Sequence, residues 1–265
     1  MLNGLIWRVS NMSKKSISRS FIETFEPLMK GNKFSRKGKI FHRIVNGEIV
    51  QLLSYYSFAM TPRFTIQFWI WPLCDGYEYM AFMDGSRLCE VFKDVPAWEY
   101  EYQSDGYIRH MPTALNATEE RLFAIFDSVV DYSSYFKWQD IGNQKNLNDN
   151  RRYAMSLLFG NYSDCQQSKE IRIKNRLIAN QKRWGVDYHI VPQRQEEFDQ
   201  ECKDYYRMKE AMEKNDRKTI EEYIHSQEQK SLNSYIKAFF SQKKYEKYQE
   251  TGILPFESVN ICPTT

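Results

Sequence analysis

Two acidic side chains and a histidine in the first half of the chain have the types and spacing that acid–base chemistry requires. Glu99 and Glu101 stand two residues apart where aromatic and polar residues alternate, so a strand would place both carboxylates on one face. Together with His110, the pair would suit general acid and base catalysis or a metal ion. Arg109 would face Glu101 across a predicted hairpin, and this pairing favours a solvated sheet face instead.

The four histidines, at positions 42, 110, 189 and 225, lack metal-ligand spacing to one another or to a cysteine. His42 lies on a predicted strand, and we interpret it as a structural residue hydrogen-bonded to Gln51. His189 lies in a predicted loop, where an exposed residue is favoured over a catalytic one. The sequence contains no phosphate-loop, dinucleotide, serine-hydrolase or zincin motif. It therefore predicts no metal site and no cofactor.

Basic residues crowd the stretch that follows the first predicted helix. They could hold a phosphate or an acidic protein surface, although a solvated loop that keeps the neighbouring hairpin soluble is the favoured interpretation. A second basic run, over residues 164–184, spreads its charges around a predicted helix, which argues against a nucleic-acid groove binder. The first cluster comprises Lys30, Lys33, Arg36, Lys37 and Lys39.

A predicted strand after Pro62 carries a second candidate surface. Its residues alternate between an apolar edge, predicted to be core, and an edge that sets two indoles beside polar groups. Large apolar patches are uncommon on soluble monomers, so coverage by C-terminal helices is favoured, and a protein partner is the alternative. The core edge is Phe64, Ile66, Phe68 and Ile70, and the candidate binding edge is Thr65, Gln67, Trp69 and Trp71.

These candidates depend on an N-terminal helix and two hairpins. Apolar residues at helical spacing, ending at Gly31, predict a helix over residues 16–31. Asn46 and Gly47 predict a two-residue turn, because both residues tolerate the positive φ of a type I′ turn. A second hairpin is predicted over residues 98–111. The register expected at the first turn pairs Val45 with Glu48, Arg43 with Val50, His42 with Gln51 and Phe41 with Leu52.

After Pro112 the hydrophobic period changes from 2 to 3.6, which predicts helices for the rest of the chain. The first has Asn116 as its N-cap and runs through Phe136, and others cover residues 153–159, 164–184, 193–214 and 219–248, the last as one broken helix or two. The fold class is therefore α+β, with an N-terminal helix packed on an antiparallel sheet of about five strands and an all-helical C-terminal region. We expect a poorly ordered N-terminus (1–15), an α+β domain (16–112), a helical domain (113–255) and a tail (256–265).

Composition limits the function classes. A chain of 265 residues with 42% hydrophobic content can bury a sizeable core, and a net charge of +3 is too small for strong electrostatic capture of nucleic acid or a membrane. The five cysteines include no CxxC pair, which argues against a disulfide framework and predicts a cytoplasmic protein. No apolar run reaches membrane-spanning length, so no membrane span is predicted.

One pattern in the first half has a known counterpart. The spacing Gly-x-x-Phe-x-Arg-x-Gly-x-x-Phe-x-Arg, followed by a Phe-Thr-Ile strand, resembles a bacterial family of domains of unknown function, over about the first 110 residues. The resemblance implies a small α+β domain with a helix against a curved antiparallel sheet and no established catalytic residues. The family's second strand is rich in amides, where this chain has only Gln51. The matching residues are Gly31, Phe34, Arg36, Gly38, Phe41, Arg43, Phe64, Thr65 and Ile66.

The sequence predicts a non-enzymatic cytoplasmic protein that binds another protein, in its most concrete form an immunity or antitoxin-like partner of a bacterial toxin. One alternative is an enzyme of unrecognised type that uses Glu99, Glu101 and His110. Another is a weak phosphate or nucleic-acid binder through the basic stretch at residues 33–39. The oligomeric state stays open.

Overall fold

The computed structural model of the chain describes residues 2–77, 85–100, 109–142 and 192–261. The chain forms two compact units. The first comprises Met1–Leu73, Glu78–Trp138 and Asn233–Thr265, and the second comprises Cys74–Tyr77 and Gln139–Leu232. The boundary predicted near residue 112 lies inside the first unit.

Helix α1 (Leu2–Gly31) begins the first unit and ends at the predicted glycine. Residues 2–15 form the first part of this helix, and the expectation of poor order over residues 1–15 stays a prediction. A helix, once nucleated, propagates through its backbone hydrogen bonds even where the side chains show no periodic stripe. The buried stripe of α1 supplies Ile17, Phe21, Phe25 and Met29 to the core.

Six antiparallel strands of the described residues form one sheet. In chain order, β1 to β5 are neighbours across the sheet, and β6 also pairs with β4. This arrangement of one N-terminal helix, an antiparallel sheet and later helices is the predicted α+β fold class. The strands are β1 (Ser35–Lys37), β2 (Ile40–Val45), β3 (Ile49–Ser57), β4 (Arg63–Pro72), β5 (Ser86–Arg87) and β6 (Trp98–Glu99).

The register predicted for the β2–β3 hairpin is wrong by one residue. Asn46 and Gly47 do adopt positive φ, at 49° and 72°, and the turn hydrogen bond from Glu48 N–H to Val45 O forms at 3.0 Å. Glu48 then leaves the ladder, because its carbonyl accepts Leu73 N–H at 2.7 Å and its carboxylate accepts Tyr132 N–H at 2.7 Å. The observed pairs are Val45 with Ile49, Arg43 with Gln51, His42 with Leu52 and Phe41 with Leu53.

The single helix predicted after Pro112 is interrupted. Helix α2 (Leu88–Val91) precedes this region, and α3 (Met111–Ala117) continues through a π-helical turn at Thr118–Leu122 into α4 (Phe123–Ser128). Helix α5 (Tyr132–Gly142) starts afresh, because Asp131 caps it by accepting Ser134 N–H at 2.7 Å. Asn116 lies inside α3 and is not an N-cap, and Met111 begins that helix instead of ending a strand.

Both faces of the sheet carry buried side chains. One face carries Phe41, Leu53 and Phe68, which pair across β2, β3 and β4. We call it the helix face. Helix α1 packs there through Phe21, whose ring lies 5.7 Å from that of Phe41, and α4 packs there through Phe126, 6.2 Å from Phe68. The opposite face, the rear face, carries His42, Leu52 and Trp69 in one row.

The second unit contains helix α6 (Pro192–Glu213) and most of helix α7 (Arg217–Phe239). Asn215 joins them with φ of 54°, so the predicted helix over 193–214 and the break after it are confirmed. The region predicted over 219–248 is two helices, because α8 (Gln242–Thr251) begins separately and ends at Gly252 with φ of 67°. The predicted helices over 153–159 and 164–184, together with Glu101 and His189, lie outside the described residues. Among the described helices, none has the length and apolarity needed to cross a membrane.

Candidate interaction surface

A polar cluster around Arg43 lies in the buried centre of the first unit. Its Nε donates to Gln51 Oε1 at 2.8 Å, and its Nη1 donates to the carbonyl of Asn32 at 2.8 Å. Its Nη2 lies 3.7 Å from Oδ1 of Asp127, and the guanidinium lies 4.4 Å above the ring of Phe34. Burial lowers the pKa of Arg43 to about 10, against the opposing effect of Asp127, so the group stays charged at neutral pH.

Gln51 extends this cluster to helix α4. Its Nε2 donates to the carbonyls of Phe126 and Val129, at 2.7 and 3.0 Å. Carbonyls at the end of a helix lack partners within the helix, so the amide satisfies groups that burial would otherwise leave unpaired. Arg43 and Gln51 thus join the exit of α1, two strands and the end of α4. Their role is architectural.

The other residues of the family-like pattern are also architectural. Gly31 is the last residue of α1, and Gly38 makes the turn from β1 to β2 with φ of 58°, which a residue without Cβ adopts at little cost. Phe41 packs on Phe21 in the core. Arg36 donates through Nη1 to the carbonyl of Gly38 at 3.0 Å. The pattern therefore describes how the helix exit and the first hairpin are built, and it supplies no reactive group.

The candidate binding edge on β4 is largely buried. Thr65, Gln67 and Trp69 are buried and Trp71 is half-buried. Near β5, Gln67 donates through Nε2 to the carbonyl of Gly85 at 3.3 Å, and Gly85 approaches so closely that a Cβ added there would lie 2.3 Å from the Trp69 indole. These residues lie on the rear face, so the first three are packed inside this chain and only Trp71 offers partial access to a partner.

The last turns of α7 cover the rear face at His42. The Nδ1 atom of His42 lies 2.7 Å from the hydroxyl of Tyr235, and its ring stacks on that of Phe239 with 4.2 Å between centroids. His42 is structural, as predicted, but its partner is Tyr235 and not Gln51, because the observed register turns Gln51 toward the opposite face. Burial, and secondarily the charge of Lys37, lowers the pKa of His42 to about 4, and burial raises the pKa of Tyr235.

The basic residues after α1 are exposed, and several have partners within the unit. Lys30 and Arg36 both lie close to the carboxylate of Glu26, at 3.2 and 3.3 Å. The hydrogen bond from Lys30 contributes most to lowering the pKa of Glu26. Lys37 donates to the carbonyl of Ala238 at 2.6 Å, at the C-terminal end of α7, where the helix dipole favours a cation. The predicted site residues Arg36 and Lys37 therefore also stabilise the fold.

The contact between Lys37 and Ala238 joins two basic stretches that are far apart in sequence. The end of α7 and the start of α8 carry further exposed lysines, and Lys244 lies 5.4 Å above the ring of Phe240, which itself packs on His42. Only two acidic residues, Glu246 and Glu250, accompany them between 237 and 250. We call the exposed cations of these two stretches, which meet at the Lys37–Ala238 contact, the basic surface. They are Lys33, Arg36, Lys37 and Lys39 from the first stretch and Lys237, Lys243, Lys244 and Lys247 from the second.

Sequence reasoning missed the α7–α8 half of the basic surface. The run QKKYEKYQE reads as an ordinary solvated helix, since its lysines alternate with glutamates. The remaining signal was the excess of lysine over acid between residues 237 and 247. The Lys37–Ala238 hydrogen bond joins residues about 200 positions apart in sequence. Nothing in the sequence indicates that this stretch would dock against the β1–β2 hairpin.

Of the predicted acid–base residues, only Glu99 and His110 lie within the described residues. Glu99 pairs with Arg63 across β6 and β4, and the two side chains lie 3.5 Å apart and are both exposed. His110 occupies the N-cap position of α3. Within the ranges that the structure describes, no group of three His, Cys, Asp or Glu side chains is arranged as a metal site would require.

The chain was compared with protein-family models, with curated proteins and with solved structures. The resemblance to a bacterial family of unknown function rests only on the pattern between Gly31 and Arg43 and on the Phe-Thr-Ile strand. No family model, curated protein or solved structure matched the chain.

Proposed function

We propose that this chain is a non-enzymatic cytoplasmic protein that binds an acidic surface of another protein through the basic surface. The observation that supports this most directly is the docking of two basic stretches by the Lys37–Ala238 hydrogen bond. All eight of their cationic side chains are exposed. Cations brought together where the two stretches meet would raise the rate of encounter with a negatively charged partner and limit which partners fit.

An acidic protein fits this surface better than a nucleic acid does. Glu26 lies among the basic residues after α1, and Glu246 and Glu250 lie among those of α8. A phosphate backbone is uniformly negative, so interspersed carboxylates would weaken its binding. A protein partner with mixed charge can place its own cations opposite those carboxylates.

The most concrete form of this proposal is an immunity or antitoxin-like protein whose partner is a bacterial toxin. In this form the chain belongs to the bacterial family that its N-terminal pattern resembles. The toxin would be acidic at its contact surface. It would therefore differ from basic nuclease toxins, which bind acidic partners. A gene encoding such a protein beside the gene for this chain is the expected genomic context.

Charge reversal on the basic surface tests the proposal. The purified chain and the product of the neighbouring gene are mixed, and their Kd is measured by calorimetry at low salt and again at about 300 mM salt, where exposed charges are strongly screened. The variant carries Lys33→Glu, Lys243→Glu and Lys247→Glu at three exposed positions of the basic surface. Reversing three positive charges at the edge of the interface should weaken binding by roughly 100-fold, about 3 kcal/mol.

Lys93→Glu is the matched control, because Lys93 is also an exposed lysine of the first unit but lies outside the basic surface. Its affinity should stay within about twofold of that of the unmodified chain. Unchanged binding by the triple variant would contradict the role of the basic surface. Equally tight binding of a single-stranded oligonucleotide would instead favour the nucleic-acid alternative.

A further inference from the structure

One half of the β2 edge is paired with the C-terminal segment of the same chain. Strand β1 pairs with the first half of β2, up to His42. Beyond it, Val259 N–H donates to the carbonyl of Ile44 at 2.8 Å, and Asn46 N–H donates to the carbonyl of Val259 at 2.9 Å. Val259 and Val45 form a parallel bridge. Residues 258–261 therefore occupy this edge as an added strand would.

The side chain of Asn46 forms two hydrogen bonds with the peptide backbone of this segment. Its Nδ2 donates to the carbonyl of Ile261 at 2.9 Å, and its Oδ1 accepts the N–H of Ile261 at 2.9 Å. One amide side chain thus satisfies both backbone groups of a single residue, which is recognition of an extended peptide without regard to its side chain. The Oγ of Ser258 adds a hydrogen bond from Gly47 N–H at 2.7 Å.

The segment is held mainly by hydrogen bonds and by one aromatic residue. Val259 and Ile261 are only half-buried, and the connection from α8 leaves the side chains of Ile253 and Leu254 exposed. Phe256 packs on Tyr235 and Phe240, with 5.4 and 5.6 Å between ring centroids. A segment with little buried apolar surface opens at low free-energy cost, so residues 258–261 are suited to exchange.

We propose that the edge formed by Ile44, Val45 and Asn46 is a binding site for an extended peptide, occupied in this structure by residues 258–261 of the same chain. A partner's extended segment takes their place in parallel orientation. Its residues at the positions of Val259 and Ile261 must keep their N–H groups, so proline is excluded at both. A serine at the position of Ser258 is favoured by the bond to Gly47. This site is separate from the basic surface and does not depend on it.

The resident segment lowers the apparent affinity for any peptide added in solution. A segment tethered by a short linker competes at an effective concentration on the order of 1 mM. A variant in which the tether remains but the segment pairs poorly should therefore bind an external peptide much more tightly than the unmodified chain does. This difference is the measurable consequence of the proposal.

Val259→Pro in the full chain removes the N–H that donates to Ile44. The probe is a fluorescein-labelled synthetic peptide with the sequence of residues 255–261, PFESVNI, and its binding is followed by anisotropy. We expect the variant to bind the probe at least about tenfold more tightly than the unmodified chain. A probe with proline in place of its valine should lose this binding. Adding Asn46→Gly, which keeps positive φ accessible but removes the amide, should abolish binding to the variant.

Ile261→Pro is the second variant, because it removes the N–H bound by Asn46 and leaves the Val259–Ile44 bond in place. Circular dichroism and thermal unfolding establish that each variant is folded. Equal binding of the probe to the variants and the unmodified chain would overturn the proposal, as would the absence of binding to folded variants. Failure of both variants to fold would show that residues 258–261 are an integral strand and would overturn it as well.

Discussion

Acidification should loosen the attachment of helix α7 to the sheet, because His42 is buried there in its neutral form. His42 is 2% exposed, its ring stacks on Phe239, and its Nδ1 atom shares a hydrogen bond with the Tyr235 hydroxyl. The charged groups that act on it include Lys37 from β1, which disfavours a second positive charge nearby. Protonation would therefore place an uncompensated cation among aromatic rings.

The magnitude follows from the two pKa values of this histidine. Burial lowers its pKa from the ordinary value of 6.5 to about 4 in the folded chain. The unfolded chain therefore binds more protons than the folded chain between these values, and stability falls as the pH falls through this window. The contribution is fully present above about pH 6.5, is reduced by roughly 2 kcal/mol at pH 5, and is reduced by about 3 kcal/mol below pH 4.

Urea unfolding of the full chain at about pH 7 and about pH 5 measures this effect. His42→Gln is the matched variant, because glutamine does not titrate and its amide oxygen can accept the Tyr235 hydroxyl. Other histidines and carboxylates titrate alike in both proteins, so the difference between the two pH-induced changes isolates His42. We expect the unmodified chain to lose roughly 2 kcal/mol more than the variant. The same loss in both proteins would refute the reasoning.

Two further predictions concern buried contacts. Arg43→Lys should lower the free energy of unfolding by about 3 kcal/mol, measured by urea unfolding. An ammonium cannot keep the hydrogen bonds to Gln51 and Asn32 together with the contact to Phe34. An unaltered stability would contradict the architectural role of Arg43. Gly85→Ala should destabilise the chain by about 1–3 kcal/mol and alter tryptophan fluorescence, because the added Cβ would lie 2.3 Å from the Trp69 indole. Gly31→Ala is the control. A Cβ at Gly31 meets nothing within 4 Å, so stability and fluorescence should stay unchanged.

Local sequence patterns correctly predicted those features that depend only on residues close together in the chain. The stripe that ends at Gly31 predicted the end of α1, and positive φ at Asn46 and Gly47 was predicted from residue type alone. The break at Asn215 and Asp216 was likewise evident, since these residues favour turns over helix interiors. In each case the signal is a backbone preference that acts within a few residues.

The errors arose where distant parts of the chain compete for the same groups. Glu48 leaves the hairpin ladder because Leu73 and Tyr132 bind it, and the resulting shift of one residue turns Gln51 from the face of His42 to the face of Arg43. Period-2 alternation on β4 predicted a strand and coverage of its second edge was favoured, but the close approach of Gly85 to Trp69 was not predicted. Capping by Asp131 divided a helix that its apolar spacing alone would continue.

The sequence by itself determined the α+β class, the N-terminal helix, the first hairpin and the chemical types of the candidate residues, because hydrophobic period and turn preference are local properties. Tertiary structure alone decided which of those residues are accessible and which are brought together. It buried Trp69 beside Gly85, docked Lys37 on the end of α7, and laid residues 258–261 along the β2 edge. Each contact joins residues distant in sequence, and its free energy depends on packing and desolvation that no short stretch encodes.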